Sequence, residues 1–187
     1  MKELSDEEIA IKVQTEDVES FGELIARYEA KLKRYASRFL NTKHEIDDLV
    51  QDVFIKAYTN IQSFDANQRF SPWIYRIAHN TFVNELKRKE RSGFGFFDAD
   101  TILPLLPSKE TADGDTLESE IEAELEILIK KLPTKYREII ILHYFESFSY
   151  QEISDVLKIP ITTVGVRLTR ARAKLKKHYQ SNNKHHE

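Results

Sequence analysis

The sequence predicts an all-α protein of two small helical domains joined by an acidic linker, and three observations carry that reading. Apolar residues recur every three to four positions over most of the 187 residues, the period of a helix with one buried face. No alternating run is long enough to demand a sheet. The breakers are concentrated: Gly93, Gly95 and Gly114, three of the five glycines, fall between Ser92 and Thr116 together with Pro104 and Pro107, two of the five prolines. The expected organisation is therefore a first domain over residues 1–92, a linker over 93–116, a second domain over 117–181 and a tail over 182–187. No internal repeat is visible.

Four helices are expected in the first domain. Ser5 caps one that runs through Val13, and Asp17 or Ser20 caps a long one through Leu40. In that second helix Phe21, Leu24, Ile25, Tyr28, Leu32, Tyr35 and Phe39 keep the spacing of a core face. A third helix runs from about Lys43 to Ile61. Its inner stripe is Ile46, Leu49, Val50, Val53, Phe54 and Ala57, and Asp47, Asp48, Gln51, Asp52 and Lys56 lie outside it. The fourth opens at Ser71-Pro72, with proline at a favoured first position, and ends near Arg91. Between the last two lies a polar loop, Ser63 to Phe70, flanked by phenylalanines. Trp73 is expected in the core.

Helical periodicity resumes at Leu117 with Ile121, Leu125, Leu128 and Ile129, then with Tyr136, Ile139, Ile140 and His143. The last stretch, Ser149 to Lys177, spells a short helix, a tight turn and a basic second helix. Ser149 with Glu152 three residues on forms a capping box, and Ile153, Val156 and Leu157 supply the apolar face. Lys158-Ile159-Pro160 stops that helix, because proline disfavours the helical conformation in the residue before it. Thr162 or Thr163 caps the next, whose Val164, Leu168, Ala171 and Leu175 pack inward. Arg167, Arg170, Arg172, Lys174, Lys176 and Lys177 lie on or beside its other face. From Ile161 to His186 there is no Asp or Glu, so this end carries an uncompensated positive field suited to phosphate. A helix, a turn and a basic helix in that order form a DNA-reading device.

Charge is unevenly distributed. The net formal charge is only -3, yet ten carboxylates lie between Asp98 and Glu126. There is no cysteine, which excludes disulfides, thiolate metal sites and cysteine nucleophiles and fits a reducing cytosol. The acidic N-terminus does not read as a signal peptide, and no apolar run reaches transmembrane length. A cytoplasmic protein is expected. Two of the six histidines, His185 and His186, lie at the tail, and the others lack metal-ligand or nucleophile spacing, so neither an enzyme nor a cofactor is expected. Phe70-Ser71-Pro72-Trp73-Ile74-Tyr75-Arg76-Ile77-Ala78-His79-Asn80 leads into Lys87, Arg88, Lys89 and Arg91. That mixture of aromatics, amides and cations suits unpaired bases, which need stacking and backbone neutralisation.

Four strings taken together, DDLVQDVFIKAY, FSPWIYRIAHN, LP-x-KYREIIIL and SYQEISDVL-x-IP-x-x-TV-x-x-RL-x-RAR, resemble the sigma-70 family, specifically its extracytoplasmic-function group. The resemblance covers most of the chain in order. It implies a promoter-melting domain and a domain reading the minus-thirty-five element, joined by a linker threading through core RNA polymerase, with no chemistry of the subunit's own. It implies that Asp48, Gln51, Asp52 and Phe54 belong to the helix that binds the clamp helices of the polymerase β′ subunit, although core packing suits Phe54 better. It implies that Asp65, Asn67 and Gln68 meet a base flipped from the minus-ten element, and that Asn80, Asn84, Lys87 and Arg88 contact the melted or upstream strand. In the second domain it implies contacts from Ser149, Thr162, Thr163, Val166, Arg167, Thr169, Arg170 and Lys174. The implied partners are core RNA polymerase, through the β′ clamp helices and the β flap, promoter DNA, and an anti-sigma factor.

Two departures stand out. The family commonly has Gly-Thr-Val-Lys where this chain has Thr162-Thr163-Val164-Gly165, which removes a cation and shifts expected base readout towards Val166, Thr169 and Arg170. Arg170 pairs bidentately with guanine in that reading, and Val166 touches a thymine methyl. Asn84 stands where the family often has Asp. A stand-alone helix-turn-helix regulator would explain the basic helix but not the first two strings, and a response regulator would need strands that are not visible. For the linker, a plain spacer and a nucleic-acid mimic are equally open readings.

Overall fold

The computed structural model describes residues 4–15, 17–40, 42–91 and 124–183, and the acidic linker expected over 93–116 lies outside them. Among the described residues there is no strand. The helices are α1 (Asp6–Gln14), α2 (Phe21–Ser37), α3 (Lys43–Thr59) and α4 (Phe70–Arg91), then α5 over 124–130, α6 (Thr134–Ile140), α7 (Tyr150–Leu157) and α8 (Ile161–Asn183).

Local chemistry sets most of the boundaries. Ser5 and Glu8 form a capping box at α1: the Glu8 amide donates to Ser5 Oγ at 3.2 Å and the Ser5 amide to Glu8 Oε2 at 2.7 Å. Ser149 and Glu152 repeat the device at α7. Asp17 caps not α2 itself but the 3₁₀ turn Val18–Ser20 that leads into it. The third helix ends at Thr59, and Ile61 belongs to a separate 3₁₀ turn, Ile61–Ser63. α7 ends where Lys158 turns left-handed, φ 53°. Neither Thr162 nor Thr163 caps α8. The carbonyl of Pro160 accepts from the Thr163 and Val164 amides at 2.8 and 3.1 Å, so the helix starts earlier and both threonines lie in its first turn.

Inside the first domain, α2 packs on α3 and α3 on α4, burying Leu24, Leu32, Val53 and Ile74 completely. Rings fill the middle. Phe70 meets Tyr28, Phe64 and Trp73 at centroid distances of 5.5, 5.4 and 5.4 Å, geometries that suit aromatic quadrupoles. Trp73 is buried, as expected of a core residue. In the second domain α6 and α7 pack on α8 through Ile139, Ile153, Val164, Leu168 and Ala171; Leu125, placed on the apolar stripe by its spacing, is exposed.

Gly165 lies on α8 with Tyr150 beside it, and a Cβ there would meet Tyr150 Cε2 at 3.6 Å, an ordinary contact. Its cost is therefore only that of glycine in a helix interior. Gly165→Ala is expected to raise the unfolding free energy by about 0.5–1 kcal/mol, read from the urea midpoint.

The two domains are packed together. α7 lies along α4, and the Tyr75 ring sits between Tyr35 of its own domain and Phe148 of the other, at 5.2 and 5.0 Å. The Tyr75 hydroxyl donates to Glu146. Arg38 stacks over the Phe145 ring, 4.0 Å from its centroid, with Glu146 Oε1 3.9 Å from the guanidinium. Burial pushes the Glu146 carboxyl up, opposed by the Tyr75 hydrogen bond and by Arg38.

Candidate nucleic-acid interface

Three surfaces collect the residues singled out from the sequence. The first is the outer face of α3. Asp48, Gln51 and Asp52 are exposed at helical spacing and continue into Ile55, 61% exposed. Phe54 faces the other way and is buried, so it does not share this surface. Asp47, next to Asp48, is tied to Lys33 at 2.8 Å.

The second surface is the loop between α3 and α4 with the groove beside it. Asp65 Oδ1 accepts from the Asn67 backbone and side-chain amides at 3.0 and 2.9 Å, and the Gln68 amide donates to the Asp65 carbonyl at 2.9 Å. Asp65 therefore folds the loop, and Gln68 is exposed at its tip. The groove, about 400 Å³, is lined by Lys56, Asn60, Ser63, Trp73, Arg76, Ile77, Asn80, Thr81 and Asn84. Asn80 and Asn84 were expected there; Lys56, Asn60, Arg76 and Thr81 were not. Lys56 lies on the side of α3 next to α4 and Asn60 four residues on, just past the end of α3, and Lys56 Nζ donates to Thr81 Oγ1 at 3.1 Å. Further along α4, Lys87 and Arg88 are exposed, but Arg88 is held by Glu85 in a two-point pair at 2.7 and 2.5 Å. The groove thus joins two cations, three amides and an indole, a set chemically suited to a nucleobase edge and its phosphate.

The third surface is α8. Thr162, Val166, Thr169, Arg170 and Lys174 are exposed along it, with Thr163 half-buried, and Ser149 is exposed at the start of α7. Arg172 turns aside, donating through Nε to the Tyr144 hydroxyl at 2.6 Å. Arg167 is engaged as well, donating to Glu138 Oε1 at 3.2 Å.

The second and third surfaces touch each other. Arg69 of the loop is paired with Glu152, the carboxylate that caps α7. Glu138 lies between Arg167 on α8 and His79 on α4, with its Oε2 3.6 Å from His79 Nε2. The Tyr35 hydroxyl sits 3.1 Å from His79 Nδ1. Glu138 is a charged residue directly before an apolar run, Ile139 to Leu142, and that junction is the sequence signal beside this cluster.

Burial pushes the Glu138 carboxyl up from 4.5 to about 7, against the pull of Arg167 and Lys87. Burial pushes the His79 imidazole down from 6.5 to about 4, with Lys87 adding to it. The signs oppose. Glu138 contributes stability that is complete below pH 4.5 and lost as pH rises through 7. His79 contributes stability that is complete above pH 6.5 and lost as pH falls through 4. The two slopes offset one another in the native chain. With His79→Gln, unfolding free energy is expected to fall as pH rises from 4.5 to 7, and with Glu138→Gln it is expected to fall as pH drops from 6.5 to 4. Each change is at most about 3 kcal/mol, and urea titrations over a pH series would measure it.

No helix among the described residues is long and apolar enough to cross a membrane. The family model for Sigma-70 region 2 matches residues 24–92, and that for Sigma-70, region 4 matches residues 122–175. The chain is 36% identical over 174 residues to the ECF RNA polymerase sigma factor SigW of Bacillus subtilis, covering 89% of this chain and 92% of that one. To the RNA polymerase sigma-H factor of Pseudomonas aeruginosa it is 34% identical over 184 residues, 94% of each. Among solved structures it resembles CnrH in complex with the cytosolic domain of CnrY, with TM-score 0.71, 25% identity and coverage of 94% of this chain and 97% of that one. The sigma factor RpoE of Bartonella quintana, solved with the anti-sigma factor NepR, shares the fold at TM-score 0.67 and 22% identity, over 86% of this chain and 96% of that one. Both halves of the chain, in the same order and over nearly its whole length, thus point one way: it belongs to the sigma-70 family of RNA polymerase sigma factors, in its extracytoplasmic-function group.

Proposed function

We propose that α3 presents Asp48, Gln51 and Asp52 to the β′ clamp helices of core RNA polymerase. On the same reading the Asp65–Arg69 loop and its groove hold the unpaired minus-ten strand, and α8 enters the minus-thirty-five major groove with its domain seated on the β flap. The polymerase makes the RNA and this subunit selects where. The observation that carries the reading is the groove, where Lys56, Arg76, Asn80 and Asn84 converge beside the Trp73 indole and the Gln68 tip stands at the loop. Flipping a base costs a few kcal/mol, which stacking and edge hydrogen bonds offset. Gln68 and Asn67 are the edge readers, and Asp65 shapes the loop for them. Asn80 and Asn84 follow the strand, and Lys87 and Arg88 meet its phosphates. On α8, Arg170 and Val166 read bases, with Thr169 beside them; Ser149, Thr162, Thr163 and Lys174 hold phosphates. Arg167 joins them once Glu138 releases it. The protein acts in the cytoplasm, and an anti-sigma factor is its regulatory partner; the sigma factor RpoE of Bartonella quintana was solved with one, NepR, bound.

Run-off transcription with core polymerase and a promoter library tests the whole reading. Transcripts are expected from a shared minus-ten and minus-thirty-five pair, and Asp48→Lys with Asp52→Lys should abolish them while leaving the melting temperature unchanged, since both side chains are exposed. Fluorescence anisotropy of the free chain on the selected duplex is expected to show weak binding, because Arg167 is engaged by Glu138 within its own domain and Arg69 by Glu152 across to the other. Tight specific binding without polymerase would favour a stand-alone regulator.

A further inference from the structure

We propose that α1 is the positioning element of the minus-ten loop, acting through Gln14 and Glu7; this rests on the loop reading given above. The Gln14 side-chain amide donates to two carbonyls, Ile61 at 2.8 Å and Phe64 at 2.9 Å. Those carbonyls belong to the turn that delivers the chain into Asp65. At the loop's other end the Phe70 amide, first of α4, donates to Glu7 Oε1 at 2.9 Å. A first-turn amide has no partner in its own helix, and here a carboxylate from another helix supplies it.

The two anchors lie one at each end of the same nine-residue helix. α1 is itself fixed, because Ile9 and Ala10 are fully buried and Asp6 pairs with Arg27 at 2.7 Å. The five residues from Asp65 to Arg69 therefore start and finish on one rigid body. Both contacts are made by side chains to backbone, so they set the path of the loop without touching whatever occupies the groove. Preorganisation of this kind improves discrimination, since a loop ordered beforehand does not lose conformational entropy when the base arrives. Neither Gln14 nor Glu7 touches the DNA in this proposal; each acts through the loop that does.

The test uses the full chain in polymerase holoenzyme with a promoter library randomised separately at the minus-ten and minus-thirty-five elements. Gln14→Met keeps the length and removes both donors; Glu7→Ala removes the cap, and Glu7→Gln keeps an acceptor. Gln14→Met and Glu7→Ala are expected to lose about five- to tenfold in discrimination at one minus-ten position, the scale of a lost hydrogen bond. Minus-thirty-five preference and affinity for core polymerase should be unchanged, and Glu7→Gln should restore the native minus-ten preference. If Gln14→Met does not fold, the Glu7→Ala and Glu7→Gln comparison decides alone. Unchanged minus-ten discrimination, or loss at both elements together, overturns the proposal. Gln68→Ala in the same library separates the two levels: if it shifts a minus-ten preference and the α1 variants do not, α1 has no positioning role; if it shifts nothing, the loop reading falls and the proposal with it.

Discussion

Phe148→Ala is expected to part the two domains. Phe148 is buried and its ring stands edge-on to Tyr75 at 5.0 Å across the interface. Truncating a buried phenylalanine costs about 3–5 kcal/mol, and here much of that loss falls on the contact between domains. Without it, the Tyr75 bond to Glu146 and the Arg38 stack on Phe145 have to hold buried charge on their own, and a carboxyl already pushed up by burial regains water by opening. The expected result is a larger radius of gyration by small-angle scattering. A second consequence is binding of the free chain to DNA raised several-fold, because Arg69 is released from Glu152. An unchanged radius would show that the polar contacts suffice to keep the domains together.

The other large effect is expected inside the first domain. Phe70 is fully buried among Tyr28, Phe64 and Trp73, and Phe70→Ala should cost about 3–5 kcal/mol, a large fraction of the stability of a small domain. Trp73 is the chain's single tryptophan, so its emission reports on this cluster alone. A red shift at a lower urea concentration than in the native chain is the expected signal. Phe70→Leu, which keeps most of the volume, should cost less than half as much. If the two variants unfolded at the same midpoint, the rings around Phe70 would have closed over the cavity.

Helix number, order and inner faces were legible in the sequence because they follow from spacing, and Ser5, Ser149 and the stripe of α3 all lie where spacing puts them. The ends were less legible wherever a distant residue decides them. Ser71-Pro72 reads as the start of α4, yet the helix begins at Phe70, because Glu7, 63 residues earlier in the chain, caps that amide. Pro72 still falls in the first turn, where its missing donor costs nothing. The candidate site divides along the same line. Arg76, Asn80 and Asn84 lie four apart on one helix and could be read together; Lys56 and Asn60 meet them only because α3 packs on α4. The same limit hides the contacts between Arg69 and Glu152 and between His79 and Glu138, since no local pattern marks a partner more than 50 residues away.

Between α6 and the Phe148 turn the chain winds through a wide π turn, Ile141–Phe145, closed by the Glu146 amide on the Ile141 carbonyl at 3.1 Å. Such a turn holds one residue more than an α turn. In genetic terms it is the form a helix takes when it accommodates one extra in-frame codon. The position should correspondingly tolerate the opposite event. Losing one codon here would close the wide turn to an ordinary α turn and leave the chain beyond it nearly unrotated, whereas losing one from the middle of an α-helix turns everything downstream by about 100° about its axis. Tolerance to single-codon deletion should therefore be greater within Ile141–Phe145 than in the middle of α4, where residues on either side of the loss would part from their common face.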